Sequence, residues 1–125
     1  MAGKYDALVD RFLQAAPVHR MAARMILMAV QEDTVEPLAD AFYAGVTEEQ
    51  GEAIIMLLAD IGGYEALNIL RDIVKHHVKN LRLRVVAAEG LLKNESAVSE
   101  KEQKALQRFL SKATKKLAER ENQAE

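Results

Sequence analysis

Tyr5-Asp6-Ala7-Leu8, Val35-Glu36-Pro37-Leu38 and Tyr64-Glu65-Ala66-Leu67 are three versions of one opening. They recur at a period of about thirty residues, within the range that marks repeat architectures. Each opens an apolar helical segment, and each is followed by a second segment rich in Ala, Ile, Leu and Met. One helix pair of this size cannot bury its apolar faces alone and must stack on a neighbour. The spacing therefore predicts a short α-α solenoid of three helix pairs, with repeats at approximately 4–33, 34–62 and 63–95 in a single domain, 1–125.

Composition agrees with helix throughout. Of the 125 residues 50% are apolar and only 5% aromatic, and there are two prolines. Ala, Leu, Met, Glu, Lys and Arg outweigh the β-branched and aromatic residues that favour strands, so an all-α fold is expected. The chain has no cysteine, which excludes disulfides and thiolate metal sites and suits a reducing, cytoplasmic setting. No stretch approaches the ~20 apolar residues of a membrane span. Met1-Ala2-Gly3-Lys4-Tyr5-Asp6 contains no apolar core of a secretory signal.

The net charge of -2 is unevenly spread. Residues 1–62 carry four basic and ten acidic side chains, a net -6, whereas residues 101–125 carry seven and four, a net +3. An acidic front and a basic rear predict either a well-solvated surface or electrostatic steering, including head-to-tail pairing of two molecules.

Punctuation residues divide the chain into seven expected helices. The first runs from about Lys4 to Gln14, and Pro17 opens the second, which continues to about Gln31. Glu36-Pro37 open the third, and Gly45 stops it in a left-handed conformation. Thr47 and Gln50 form a capping box for the fourth, which ends at Gly62-Gly63. The fifth starts near Tyr64 and fades at His76-His77. The sixth spans about Leu81–Lys93 and stops at Asn94. Ser99 and Glu102 form a second capping box for the seventh, 99–121, after which Asn122–Glu125 are expected to fray.

Ile61-Gly62-Gly63-Tyr64-Glu65-Ala66-Leu67-Asn68-Ile69-Leu70 resembles the junction between consecutive HEAT-like repeats. Leu83-Arg84-Val85-Val86-Ala87-Ala88-Glu89-Gly90-Leu91 resembles the second helix of such a repeat, and His19-Arg20-Met21-Ala22-Ala23 echoes it. The chain is similar over roughly residues 5 to 95 to the short repeats of bilin-lyase-type HEAT proteins, within the armadillo-type superhelices. Gly51 departs from the pattern, standing where Arg20 and Arg84 stand in the other repeats. A continuous ladder of arginines is thereby interrupted.

The resemblance implies that the second helix of each pair lines a concave surface. Helical phase then selects the residues. On the fourth helix Ile54, Leu57, Leu58 and Ile61 share one face, and Glu48, Glu49, Glu52 and Asp60 share the other, with Met56 among the acids. In repeat register this gives an inner strip of Met21, Met25, Met28, Glu52, Met56, Val85, Glu89 and Leu92. Unbranched thioethers repack readily, so the strip suits an apolar helix or peptide. The competing reading is that the Met stripe is core, because the second helix is apolar nearly all round.

The expected function is a protein-interaction or scaffold module with a protein or peptide partner, no cofactor and no catalytic group. Two other readings attach to specific residues. Arg71, Lys75, Lys79, Arg82 and Arg84 form a basic run through the turn 71–84, and some HEAT-like proteins act on DNA. The run lacks an aromatic residue to stack a base, and the chain is acidic overall. His76-His77 is the sole histidine pair, the basis for a metal-dependent enzyme. Adjacent helical residues diverge by about 100° and do not chelate one ion.

The seventh helix carries Leu106, Phe109, Leu110, Ala113 and Leu117 as one apolar stripe, with Lys and Arg over the rest. A terminal repeat leaves an apolar face open, so this helix is expected to cap the fifth and sixth. Docking on another subunit's acidic front, as a homodimer, is the alternative.

Overall fold

Capping residues set the helices where turn chemistry requires them. In the computed structural model, which describes residues 6–14, 24, 28, 34–76 and 79–124, the elements are all helical. They are α1 (Asp6–Gln14), α2 (Val35–Ala44), α3 (Glu48–Ile61), α4 (Gly63–His76), α5 (Leu81–Lys93) and α6 (Glu100–Ala124), with a 3-10 turn at Glu95–Ala97. No strand occurs among the described residues. The second expected helix lies outside them except for Arg24 and Met28, both helical.

The Thr47 box is complete. The Gln50 amide donates to Thr47 Oγ1, and the Thr47 amide donates back to Gln50 Oε1, both at 3.1 Å. At Ser99 only half the box forms: the Glu102 amide donates to Ser99 Oγ at 3.1 Å, while the Glu102 carboxylate turns to Arg71. Gly45, Gly62 and Gly63 all adopt positive φ, which lets the chain reverse between helices without a Cβ clash. Asn80 caps α5 by accepting from the Leu83 amide at 3.0 Å. At the C-terminal end α6 does not fray at Asn122 but continues to Ala124.

Substantial contacts among the described residues join helices one or two apart in the chain: α1 with α2, α2 with α3 and α4, α3 with α4 and α5, α4 with α5, and α5 with α6. The core runs through all of them. Phe12, Leu38, Ile54, Leu57, Leu58, Leu70, Ile73 and Leu91 are buried essentially completely. Helix α6 contributes Leu106 and Ala113, both buried, with Phe109, Leu110 and Leu117 half-buried.

Arg71 ties α6 to α4. Its Nε and Nη2 each donate to the Glu102 carboxylate at 3.0 Å, Nη1 donates to Asn68 Oδ1 at 2.9 Å, and Nη2 to the Ala97 carbonyl at 3.2 Å. A forked guanidinium on a carboxylate fixes orientation as well as distance.

Glycine governs how closely α3 and α5 approach. A Cβ on Gly90 would lie 2.9 Å from the Ala59 Cβ, and one on Gly51 would lie 3.0 Å from Leu83 Cδ1. Gly51, the residue that breaks the arginine pattern, is therefore a packing notch for Leu83. Asn94 seals the other end of the same helix pair, its Nδ2 donating to the carbonyls of Ala59 at 3.1 Å and Gly90 at 2.9 Å.

Candidate functional site: the groove between α3 and α5

Where α3 and α5 touch through Ala59 and Gly90, the absence of long side chains leaves a groove of about 400 Å³. Its apolar lining is Met56, Ala59, Val86 and Gly90. Met56 is 61% exposed, although methionine ordinarily packs inward. Charged side chains surround this apolar strip. Arg82 Nε donates to Glu52 Oε1 at 2.7 Å, and Lys93 Nζ to Asp60 Oδ1 at 2.6 Å. Arg24 also pairs with Asp60, which places that part of the second expected helix beside α3. Glu89 completes the rim.

The rim charges are mutually compensated. The Arg82 guanidinium is held above its ordinary pKa, first by its hydrogen bond to Glu52 and then by that carboxylate's charge, with smaller contributions from Glu48 and Glu89. Paired rim charges discourage non-specific association while leaving the apolar lining exposed. A second open groove of about 420 Å³ adjoins the first, sharing Glu52 and Arg82 with it. It is bordered by Glu48, Glu49, Leu117 and Glu121, so the end of α6 reaches the start of α3.

No family model, curated protein or solved structure matches the chain.

The residues expected along the inner strip separate into three groups. Glu52, Met56 and Glu89 do share the groove. Val85 does not belong to an open surface: it is buried, at 3% exposure, on α5, the helix against which α6 packs. Repeat register puts Val85 in phase with the exposed Met56, but helix packing buries it. Met28 and Leu92 are half-buried and pack against the core, the outcome the competing core reading gave for the Met stripe at position 28. Met21 and Met25 lie outside the described residues. Val86, Ala59, Gly90, Asp60, Arg82 and Lys93 line the groove without having been singled out for it. The exposed phase of Asp60 beside Met56 was the available signal. The others depend on how two helices face each other.

The basic run 71–84 does not form one patch. Arg71 is turned to Glu102, Arg82 to Glu52, and Arg84 Nε donates to the Val74 carbonyl at 2.8 Å while its guanidinium lies 4.9 Å from the Phe109 ring centroid. Lys75 and Lys79 are exposed. His76 closes α4, and His77 lies outside the described residues. Among the described residues no group of three or more His, Asp or Glu has metal-binding geometry. None of their helices is long and apolar enough to cross a membrane.

Proposed function

We propose that this chain is a HEAT-like α-α solenoid whose α3/α5 groove docks an apolar helix or peptide of a partner protein. Among the described residues the substantial contacts join helices one or two apart, which supports the stacked arrangement, since each unit of a solenoid packs mainly on its neighbours. In this reading α1, α2 and α4 form the outer layer, α3 and α5 the inner one, and α6 the terminal cap.

The observation that carries the docking assignment is Met56, exposed over a floor of Ala59, Val86 and Gly90 between paired charges. A flexible thioether above small residues accommodates apolar side chains of differing shape. An apolar groove bounded by two helices suits the apolar face of a third helix.

A photo-crosslinking residue at Met56, introduced in the native host, tests this. The expected result is a discrete protein adduct retained in high salt and absent when the same residue replaces Lys75 on α4. Equal labelling from both positions, or adducts to nucleic acid alone, refutes the assignment.

A further inference from the structure

The outer face of α6 is a basic stripe whose position the capping role does not explain. Lys101, Lys104, Arg108, Lys112 and Lys115 are all exposed and fall within about 80° of one another around the helix, opposite Leu106 and Ala113. They run for roughly 21 Å along it. Among the described residues only Lys104 of the five has an ion-pair partner, Glu100 at 3.6 Å, and that pair is highly exposed.

The same molecule carries a matching acidic face on its outer helices. Glu36, Asp40 and Tyr43 are exposed at i, i+4 and i+7 on α2, so they share one side. The Tyr43 hydroxyl donates to Asp72 Oδ2 on α4 at 2.5 Å, which joins the two helices at this surface. Glu65, one two-turn step before Asp72 and also exposed, extends the acidic face along α4. Helix α2 has no cationic residue at all, and the exposed Lys75 of α4 stands near that helix's end. The four-residue step from Glu36 to Asp40 repeats the steps from Lys104 to Arg108 and from Arg108 to Lys112.

We propose that the protein self-associates head to tail, the basic stripe of α6 on one copy docking on the acidic α2/α4 face of the next. Charge complementarity selects a second copy over other anionic surfaces. The stripe is interrupted by Ser and Ala and carries no large apolar residue to enter a membrane. Its one aromatic neighbour on α6, Phe109, is half-buried beneath Arg84, and the excess of acids in residues 1–62 repels phosphate backbones. Tyr43, 51% exposed, supplies the large amphipathic side chain around which protein interfaces concentrate their energy. Because the two faces differ, the contact is heterologous and propagates into rings or open chains, not a closed twofold dimer.

Sedimentation velocity tests the proposal. The sedimentation coefficient of the wild type is expected to rise with concentration at low salt and to return to the monomer value at high salt. Going from about 0.01 M to about 1 M salt shortens the Debye length from roughly 30 Å to roughly 3 Å. Lys104→Glu/Arg108→Glu and Glu36→Lys/Asp40→Lys are each expected to remain monomeric, because each cancels most of the charge on one face and sets like charges opposite each other within the contact. An equimolar mixture of the two variants is expected to associate again. Circular dichroism establishes that each variant is folded, and Gln at the same positions replaces any variant that is not. A wild type that stays monomeric at low salt, or a mixture that does not recover association, overturns the proposal. So does a wild type that binds a short DNA duplex or anionic vesicles while remaining monomeric.

Discussion

Replacing Gly90 by Ala probes the tightest of the helix approaches that a glycine permits among the described residues. At an unhindered position inside a helix the change stabilises by about 0.5–1 kcal/mol, because glycine loses more backbone entropy on folding. Here the new methyl would lie 2.9 Å from the Ala59 Cβ, against an optimum of roughly 3.5–4.0 Å between carbon atoms. Ala59 has no rotamer to change, so only a shift of α3 against α5 relieves the clash. Overpacking of that kind costs about 1–3 kcal/mol. The expected net effect is a destabilisation of about 1 kcal/mol.

Two companion variants check the cause. Gly51→Ala meets Leu83 methyls at 3.0 and 3.1 Å, and a leucine tip yields more easily than a backbone-fixed methyl, so the loss is expected to be smaller. Ala59→Gly/Gly90→Ala moves the methyl across the interface and is expected to recover most of the Gly90→Ala loss. Urea unfolding followed by circular dichroism, at unchanged m value, measures all of these. If Gly90→Ala is more stable than the wild type, or if the double variant is merely additive, the close approach of α3 and α5 is wrong.

Leu58→Ala and Leu91→Ala, at 0% and 1% exposure, are each expected to lose about 2–5 kcal/mol in the same assay; losses below 1 kcal/mol would place them outside the core. Arg71→Ala is expected to cost about 1–2 kcal/mol, trimmed because Arg71 and Glu102 are 23% and 29% exposed, and to hasten proteolysis within α6. Unchanged proteolysis would show that α6 is held by its apolar stripe alone. The Tyr43 phenol is raised above its ordinary pKa by burial, then by its hydrogen bond to Asp72 and that carboxylate's charge. Its contribution is therefore complete below about pH 10 and is lost as pH rises beyond it. Tyr43→Phe is expected to lose less stability than the wild type over that alkaline range, and an equal or greater loss would contradict the bond.

Local signals were legible in the sequence, and distant pairings were not. Thr47 with Gln50, and Gly45 and Gly62-Gly63, set helix ends through contacts within one turn, so spacing alone located them. Helical phase placed Met56 among carboxylates and gave α6 its apolar stripe for the same reason. Ser99 and Glu102 show the limit: the spacing is right, yet Arg71, far off in sequence, takes the carboxylate that would have closed the box. Val85 has the phase of an inward wall, but its burial arises on a helix that α6 overlies. The basic run 71–84 reads as one patch along the chain, while a helical turn sends Arg71, Arg82 and Arg84 to different partners. Gly51 looked like a broken pattern and proved to be the notch that admits Leu83.

The range of the helix contacts has a consequence for how the molecule is made. Each substantial contact closes a loop of only some tens of residues, so little chain entropy separates one docking event from the next. Short-range topologies of this kind fold quickly. Helices α2 to α4 have their mutual partners before α6 leaves the ribosome, and assembly can follow the order of synthesis. The side of α5 on which α6 packs is the exception. It stays wet until the 25-residue α6 has been made, and over that interval the nascent chain carries an uncovered apolar face that favours aggregation.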